Sequence, residues 1–244
     1  MNDYLNFEEI NTTVVNKYQN FSIEDNFRFD SFVIKNITFS YDDKFIIFDN
    51  ANLVIEKNNI YGIFGKSGCG KTTLINIILG IIQPISGEIL VDKKVVNLNN
   101  LNWKKKIGYV PQRIFLNDDS IKNNIAFGVP TKEISLDKIN YAVYESQLDS
   151  YIKGLKDGIE TIVGENGIQL SGGQIQRIGI ARAIFQKREF LILDESLNAL
   201  DDKNFNLVIN FLKKIDNITI LIISHEKKVL NICNKILEIK KGRV

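Results

Sequence analysis

Residues 65–73 read Gly-Lys-Ser-Gly-Cys-Gly-Lys-Thr-Thr and match the pattern G-x-x-x-x-G-K-[ST] from Gly65 to Gly70, Lys71 and Thr72. The chemistry of such a stretch lies first in its backbone. Gly65, Gly68 and Gly70 let the chain curl so that successive N–H groups point inward, and a helix starting there adds its positive end. A polyphosphate would therefore find donors before any side chain is used. Lys71 carries the charge that reaches the β- and γ-phosphates, and the Thr72 hydroxyl suits a Mg²⁺ ion beside them. Lys66, Ser67, Cys69 and Thr73 fill the rest of the loop. The apolar run Ile60–Phe64 before it reads as a strand, and Leu74–Leu79 after it is apolar at helical spacing. Strand, loop and helix together predict a nucleotide-binding loop.

Two further stretches complete the chemistry. Phe190-Leu191-Ile192-Leu193 ends in Asp194 and Glu195. Beside a phosphate loop, such a strand delivers Asp194 to the Mg²⁺ shell and puts Glu195 where it can polarise an attacking water. Leu170-Ser171-Gly172-Gly173-Gln174-Ile175-Gln176-Arg177 places a serine cap and two glycines at the start of a helix running to about residue 187. This is a second anion-binding helix start. One nucleotide does not need two, so the second is predicted to serve a nucleotide held by another copy of the protein.

The elements that must position these residues follow from periodicity. Phe32–Phe39, Asn52–Glu56, 60–64, 87–91, 107–110, 190–193, 218–223 and 235–239 read as strands, with a helix over about 202–214. Continuous apolar strands alternating with helices predict a parallel sheet buried on both faces. Residues 117–168 lose strand character, and 119–126, 135–146 and 147–154 look helical, with Asp118, Ser120 and Ser135 as caps. The fold class is thus α/β, a mostly parallel core interrupted by a helical insert, to which the family resemblance described below adds an antiparallel β subdomain. The expected division is a polar arm over 1–30 and one domain over 31–244, which that resemblance makes an ATPase domain. Within it, 31–116 and 169–244 form the core and 117–168 the helical subdomain.

Composition narrows the function. A net charge of +2 gives no reason to expect nucleic acid as a partner. Cys69 and Cys233 are the only cysteines and have no metal-ligand spacing, which fits a reducing compartment. The apolar runs at 74–86 and 218–223 are too short to span a bilayer, and the N-terminus does not read as a secretory signal. The expectation is a soluble domain on the cytoplasmic side.

Together these motifs resemble the nucleotide-binding cassette of ATP-binding cassette (ABC) transporters over residues 31–244. The resemblance implies an ATP hydrolase with ATP and Mg²⁺ as ligands. It places Tyr41 on the adenine ring and Gln112, in Tyr109-Val110-Pro111-Gln112, at the Mg²⁺ and γ-phosphate. It puts Asp201, in Ala199-Leu200-Asp201, at a dimer interface, and His225, the only histidine, on the γ-phosphate. The implied catalytic set is Glu195, His225, Gln112 and Lys71, and the implied metal set is Thr72, Gln112 and Asp194. Ser171, Gly172, Gly173 and Gln174 would face the nucleotide of a second cassette in a head-to-tail pair. A homodimer would have two competent sites; pairing with a degenerate cassette is the alternative.

Thr161–Gly167 and Asp119–Gly128 resemble loops of the exporter branch, where the former meets the membrane domains. The resemblance implies transmembrane partners, in the same or another chain, and a place at the cytoplasmic face of a membrane. The arm over 1–30 reads as a linker from such a domain. The competing readings are a free-standing importer ATPase and a DNA-repair or translation ATPase. The DNA-repair reading is disfavoured because no heptads or cysteine clusters lie between Lys71 and Asp194, and the translation reading because only one cassette is present. A small GTPase would carry Asn-Lys-x-Asp, which is missing.

Overall fold

The computed structural model describes residues 30–42, 45–98, 101–198, 200–215, 217–240 and 243. The arm expected over 1–30 lies outside them apart from Asp30, as does Ala199. Asp30 itself is bound into the sheet: its N–H donates to Asp92 Oδ1 at 2.8 Å, and its carbonyl accepts from Lys57 N at 2.9 Å.

Strand β1 (Ser31–Ser40) pairs antiparallel with β2 (Ile46–Glu56) and with β4 (Ser86–Val91), and β4 carries β5 (Lys94–Val95) at its edge. A second sheet is parallel throughout. Its order is β11 (Lys235–Glu238), β3 (Ile60–Phe64), β10 (Thr219–Ile223), β9 (Phe190–Asp194), β6 (Ile107–Val110). β3, β9 and β10 are buried along nearly their whole length, as their unbroken apolar runs predict.

The two-residue alternation of a strand divides this sheet between two cores. Leu191, Leu193, Ile220 and Ile222 face helices α6 (Gly172–Phe185) and α7 (Asp202–Leu212). Phe190, Ile192, Leu221 and Ile223 face helix α1 (Lys71–Ile78) and the antiparallel sheet. On that second side Phe32 stacks on Trp103 with ring centroids 5.2 Å apart, and Trp103 meets Phe190 at 6.2 Å. Trp103 belongs to helix α2 (Leu101–Lys106), which the sequence pattern does not announce because six residues with apolar side chains only at 101 and 103 show no helical period.

Three other boundaries differ from expectation. Of the run 74–86 only the part to Ile78 is helical. The chain turns at Gly80, whose φ is +68° and where a Cβ would come within 2.4 Å of the Leu98 carbonyl oxygen. β2 begins six residues earlier than the strand expected from Asn52, because Asp49-Asn50, which looks like a turn, is instead a bulge between the pairs Phe39–Phe48 and Ile37–Ala51, with Asn50 at φ 50°. The helical insert holds α3 (Ile121–Ile125), α4 (Leu136–Glu145) and α5 (Asp149–Lys153), with Ser120 and Ser135 capping α3 and α4. It also holds a small antiparallel pair, β7 (Asp119–Ser120) with β8 (Ile162–Val163). Asp118 is not a helix cap: its carboxylate accepts from the Asn166 backbone N–H at 3.1 Å and from the Asn166 side chain. That bond holds the 161–167 loop against the segment following Gln112.

Candidate nucleotide site

The phosphate loop lies between β3 and α1, at the C-terminal edge of the parallel sheet. Gly70 is the N-cap of α1 with φ +109°, a conformation glycine adopts without strain, and no side chain caps the helix. A Cβ at Gly70 would press on Ile47 at 2.9 Å and Phe48 at 3.0 Å, so the position is closed to side chains on two counts. Lys71 folds back over the loop and donates to the Gly65 carbonyl at 2.9 Å and the Lys66 carbonyl at 3.1 Å. The Cys69 N–H also bonds within the loop, to Lys66 O at 3.2 Å, while its side chain packs with the apolar core.

A cleft of roughly 470 Å³ opens here, lined by Ile47, Ser67, Gly68, Gly70, Lys71, Thr72, Thr73, Gln112, Asp194 and Glu195. Four separate segments converge on it: β2 at Ile47, the loop and α1, Gln112 two residues past the end of β6, and the end of β9. The Gln112 amide donates to Glu195 Oε2 at 2.7 Å, and His225 Nδ1 lies 3.3 Å from Glu195 Oε1. The Glu195 carboxylate is thus held on both oxygens. It sits just past the last pair of the β9–β10 ladder, with φ 48° and its N–H bonded to Ile223 O at 2.9 Å. Tyr41 flanks the loop, its ring edge-on to Phe39 at 4.9 Å and its hydroxyl 3.3 Å from Thr73 Oγ1. At 62% exposure its ring is open to a ligand.

Burial pushes the Asp194 carboxyl above the usual range, and the nearby Glu195 charge adds to this; the hydrogen bond from Tyr109 and the charge of Lys71 oppose it. From the sequence Tyr109 reads only as a strand residue. The available signal was an aromatic hydroxyl near the end of a strand that could run beside the acidic one, but only the sheet order makes them neighbours.

The remaining predicted residues lie elsewhere. Ser171 is the N-cap of α6, its hydroxyl accepting from Gln174 N at 3.3 Å while Gln174 Oε1 accepts from Ser171 N at 2.8 Å. Ser171 and Gly172 are exposed, and Gly172 has open space where a Cβ would go. None of residues 171–174 lines the cleft. Asp201 caps α7 by accepting from Asn204 N at 3.0 Å, and Arg177 reaches both Gly173 O at 3.3 Å and Asn204 Oδ1 at 3.5 Å. The structure therefore gathers the candidates into two groups: the phosphate loop with Gln112, Asp194, Glu195 and His225, and the Ser171 helix start with Asp201.

The first group fits a magnesium nucleotide. Thr72, Asp194 and the amide oxygen of Gln112 are hard oxygen donors around one cleft, and Mg²⁺ is typically bound through one or two protein oxygens with the phosphates supplying others.

The profile of the ABC transporter family matches residues 48–198. A putative export ATP-binding/permease protein of Rickettsia typhi is 38% identical over 218 residues, 88% of this chain and 38% of that protein. The alpha-hemolysin translocation ATP-binding protein HlyB of Escherichia coli is 37% identical over 213 residues, 86% of this chain and 30% of that protein. Among solved structures, a bacterial Atm1-family ABC exporter with ATP bound superposes with a TM-score of 0.82 and 28% identity, over 89% of this chain and 38% of the exporter. The chain spans less than two fifths of the length of each of these relatives. The chain belongs to the ABC transporter family, as an ATP-binding domain of the exporter type.

Proposed function

We propose that this domain is the ATP-hydrolysing motor of an exporter and works as one half of a head-to-tail pair. The observation that carries the reading is the division of the candidate residues into two groups within one chain. The cleft gathers the phosphate loop with Gln112, Asp194 and Glu195, yet the exposed Ser171 helix start lines no part of it. A second copy that brings its own Ser171–Gly173 and Asp201 over the cleft would complete the site.

In the proposed mechanism Tyr41 stacks on the adenine and the backbone of Ser67–Thr73 cradles the phosphates. Lys71 leaves its loop carbonyls for the β- and γ-phosphates. Thr72, Asp194 and Gln112 would hold Mg²⁺, which when bound neutralises phosphate charge. Water attacks the γ-phosphorus, the bond to the β–γ bridging oxygen breaks, and the water proton passes to Glu195. His225, next to Glu195, contacts the γ-phosphate, and Lys71 stabilises the negative charge that collects on the leaving ADP. ATP binding and pairing are then linked: ATP favours the closed pair and hydrolysis releases it.

Membrane domains, in the same or another chain, are the proposed partners, and the cytoplasmic face of a membrane is the proposed location. No helix among the described residues is long and apolar enough to cross a membrane. What supports a docking surface is the segment after Gln112. Phe115 is 73% exposed, and the adjoining 161–168 loop, joined to it by the β7–β8 pair, exposes Ile162 and Ile168.

The test is the light-scattering mass of Glu195→Gln protein with and without Mg²⁺-free ATP. A monomer that becomes a dimer on ATP is the expected result. A chain that binds ATP and stays monomeric would remove self-pairing from the reading.

A further inference from the structure

Asp194 is the last residue of β9, and β6 lies beside that strand in parallel register, Tyr109 opposite Ile192 and Val110 opposite Leu193. Side chains two apart on a strand share a face, so Tyr109 and Asp194 project on the same side of the sheet. The phenol crosses diagonally from β6 and donates to Asp194 Oδ2 at 3.1 Å. Among the described residues Tyr109 is the one side chain that hydrogen-bonds this carboxylate. The strand ends directly after it: Val110 closes β6, and Pro111, which has no N–H to give to a ladder, turns the chain toward Gln112.

We propose that Tyr109 is a positioning residue for the metal carboxylate. A carboxylate at a strand end can rotate about two torsions. With Oδ2 held by the phenol, rotation stops and Oδ1 is left for the metal of the bound nucleotide. Outer-shell hydrogen bonds of this kind typically change metal affinity by 10- to 100-fold when removed. The same residue links metal and water-activating groups through the chain. Tyr109 lies three residues before Gln112, which donates to Glu195 at 2.7 Å, so one short segment carries a hydrogen bond to each of the two carboxylates. The inference rests on the proposed reading of Asp194 as a magnesium ligand.

The test is Tyr109→Phe, which keeps the ring and deletes only the hydroxyl. Two quantities are measured: the affinity for a fluorescent ATP analogue in EDTA, and the affinity of the ATP-bound protein for Mn²⁺ by electron paramagnetic resonance. The expected result is an EDTA affinity within about twofold of the parent and a Mn²⁺ affinity lowered by about tenfold. Asp194→Asn runs alongside. If it weakens Mn²⁺ binding while Tyr109→Phe does not, the positioning role is overturned and the reading of Asp194 stands. If neither variant changes Mn²⁺ binding, the reading of Asp194 falls and the inference with it. If Tyr109→Phe weakens nucleotide binding in EDTA as much as it weakens Mn²⁺ binding, the hydroxyl supports the cleft generally and the proposal fails.

Discussion

Two helices in this chain begin at glycine-bearing turns, and they solve the problem of a helix start in opposite ways. Any α-helix leaves its first N–H groups without intrahelical partners. At α1 the N-cap is Gly70, which has no side chain to offer, and Lys71 is folded back on the carbonyls of its own loop. At α6 the N-cap Ser171 and the N3 residue Gln174 exchange hydrogen bonds, so the start is satisfied from within. The first start leaves its N–H groups open to the cleft, where the proposed function puts the phosphates. The second is stable without an anion and stays exposed at the surface. Similar sequence chemistry thus gives one start with no side-chain cap and one closed by its own side chains, and the proposed function assigns the first to phosphates and the second to another copy.

The comparison is broken most forcefully through turnover. Replacing Glu195, which belongs to the first group, with Gln should lower the ATP hydrolysis rate by roughly 10²- to 10⁴-fold while leaving ATP affinity near the parent value. Retention of parental turnover in a steady-state phosphate-release assay would move the water-activating role away from Glu195.

Nucleotide affinity of the single chain separates the two starts next. Lys71→Ala should weaken ATP binding by roughly 10- to 100-fold, since a charged hydrogen-bond donor to phosphate is worth about 1.5–3 kcal/mol. Ser171→Arg should leave that affinity unchanged and instead block the ATP-induced mass increase, because bulk and charge then occupy the face offered to a partner. Equal losses of affinity from both variants in calorimetry would mean that the two starts share one nucleotide.

Stability gives a smaller contrast. Ser171→Ala deletes a capping hydroxyl and should cost about 1 kcal/mol in denaturant unfolding. Gln174→Ala should remove the other half of the reciprocal pair, and the double variant should cost less than the sum of the two. Strict additivity would mean that the two bonds act independently and that α6 does not depend on a closed capping box.

The weakest effect concerns Asp201, the cap of α7 on the second group. Hydrogen bonds from the Asn204 backbone and side chain hold its carboxyl below the usual range. A folded-state value below the unfolded one contributes stability above the unfolded value, near pH ~4, and loses it as pH falls through the lower folded value. The parent should therefore lose melting temperature faster than Asp201→Asn between about pH 5 and about pH 3, asparagine being an equally good cap that does not titrate. Parallel melting curves would show that the cap bond is worth no more ionised than neutral.

Much of this arrangement was readable from local sequence. The phosphate loop, the caps Ser120, Ser135 and Ser171, and the buried strands all follow from interactions within a few residues or from a repeat of two along a strand. Such signals survive in the sequence because the partners are close in it. Asp118 shows where this stops: it has the chemistry of a cap, yet its donors come from Asn166, across the β7–β8 pair. The short α2 and the run of β2 through Asp49-Asn50 escaped for the related reason that tertiary packing, through Trp103 and the β1 ladder, outweighs weak local preference.

Sequence alone therefore determined the chemistry available to this protein: a phosphate cradle, two acids at a strand end, one histidine and a second capped glycine turn. Tertiary structure decided which of these meet. Only the parallel order β3-β10-β9-β6 brings Gln112 and His225 onto opposite oxygens of Glu195 and sets Tyr109 against Asp194. The same order leaves Ser171 and Asp201 out of the cleft. The reason is geometric: contacts between residues 30 to 85 positions apart depend on which strands lie side by side in the sheet, and the periodicity within a strand does not encode that order.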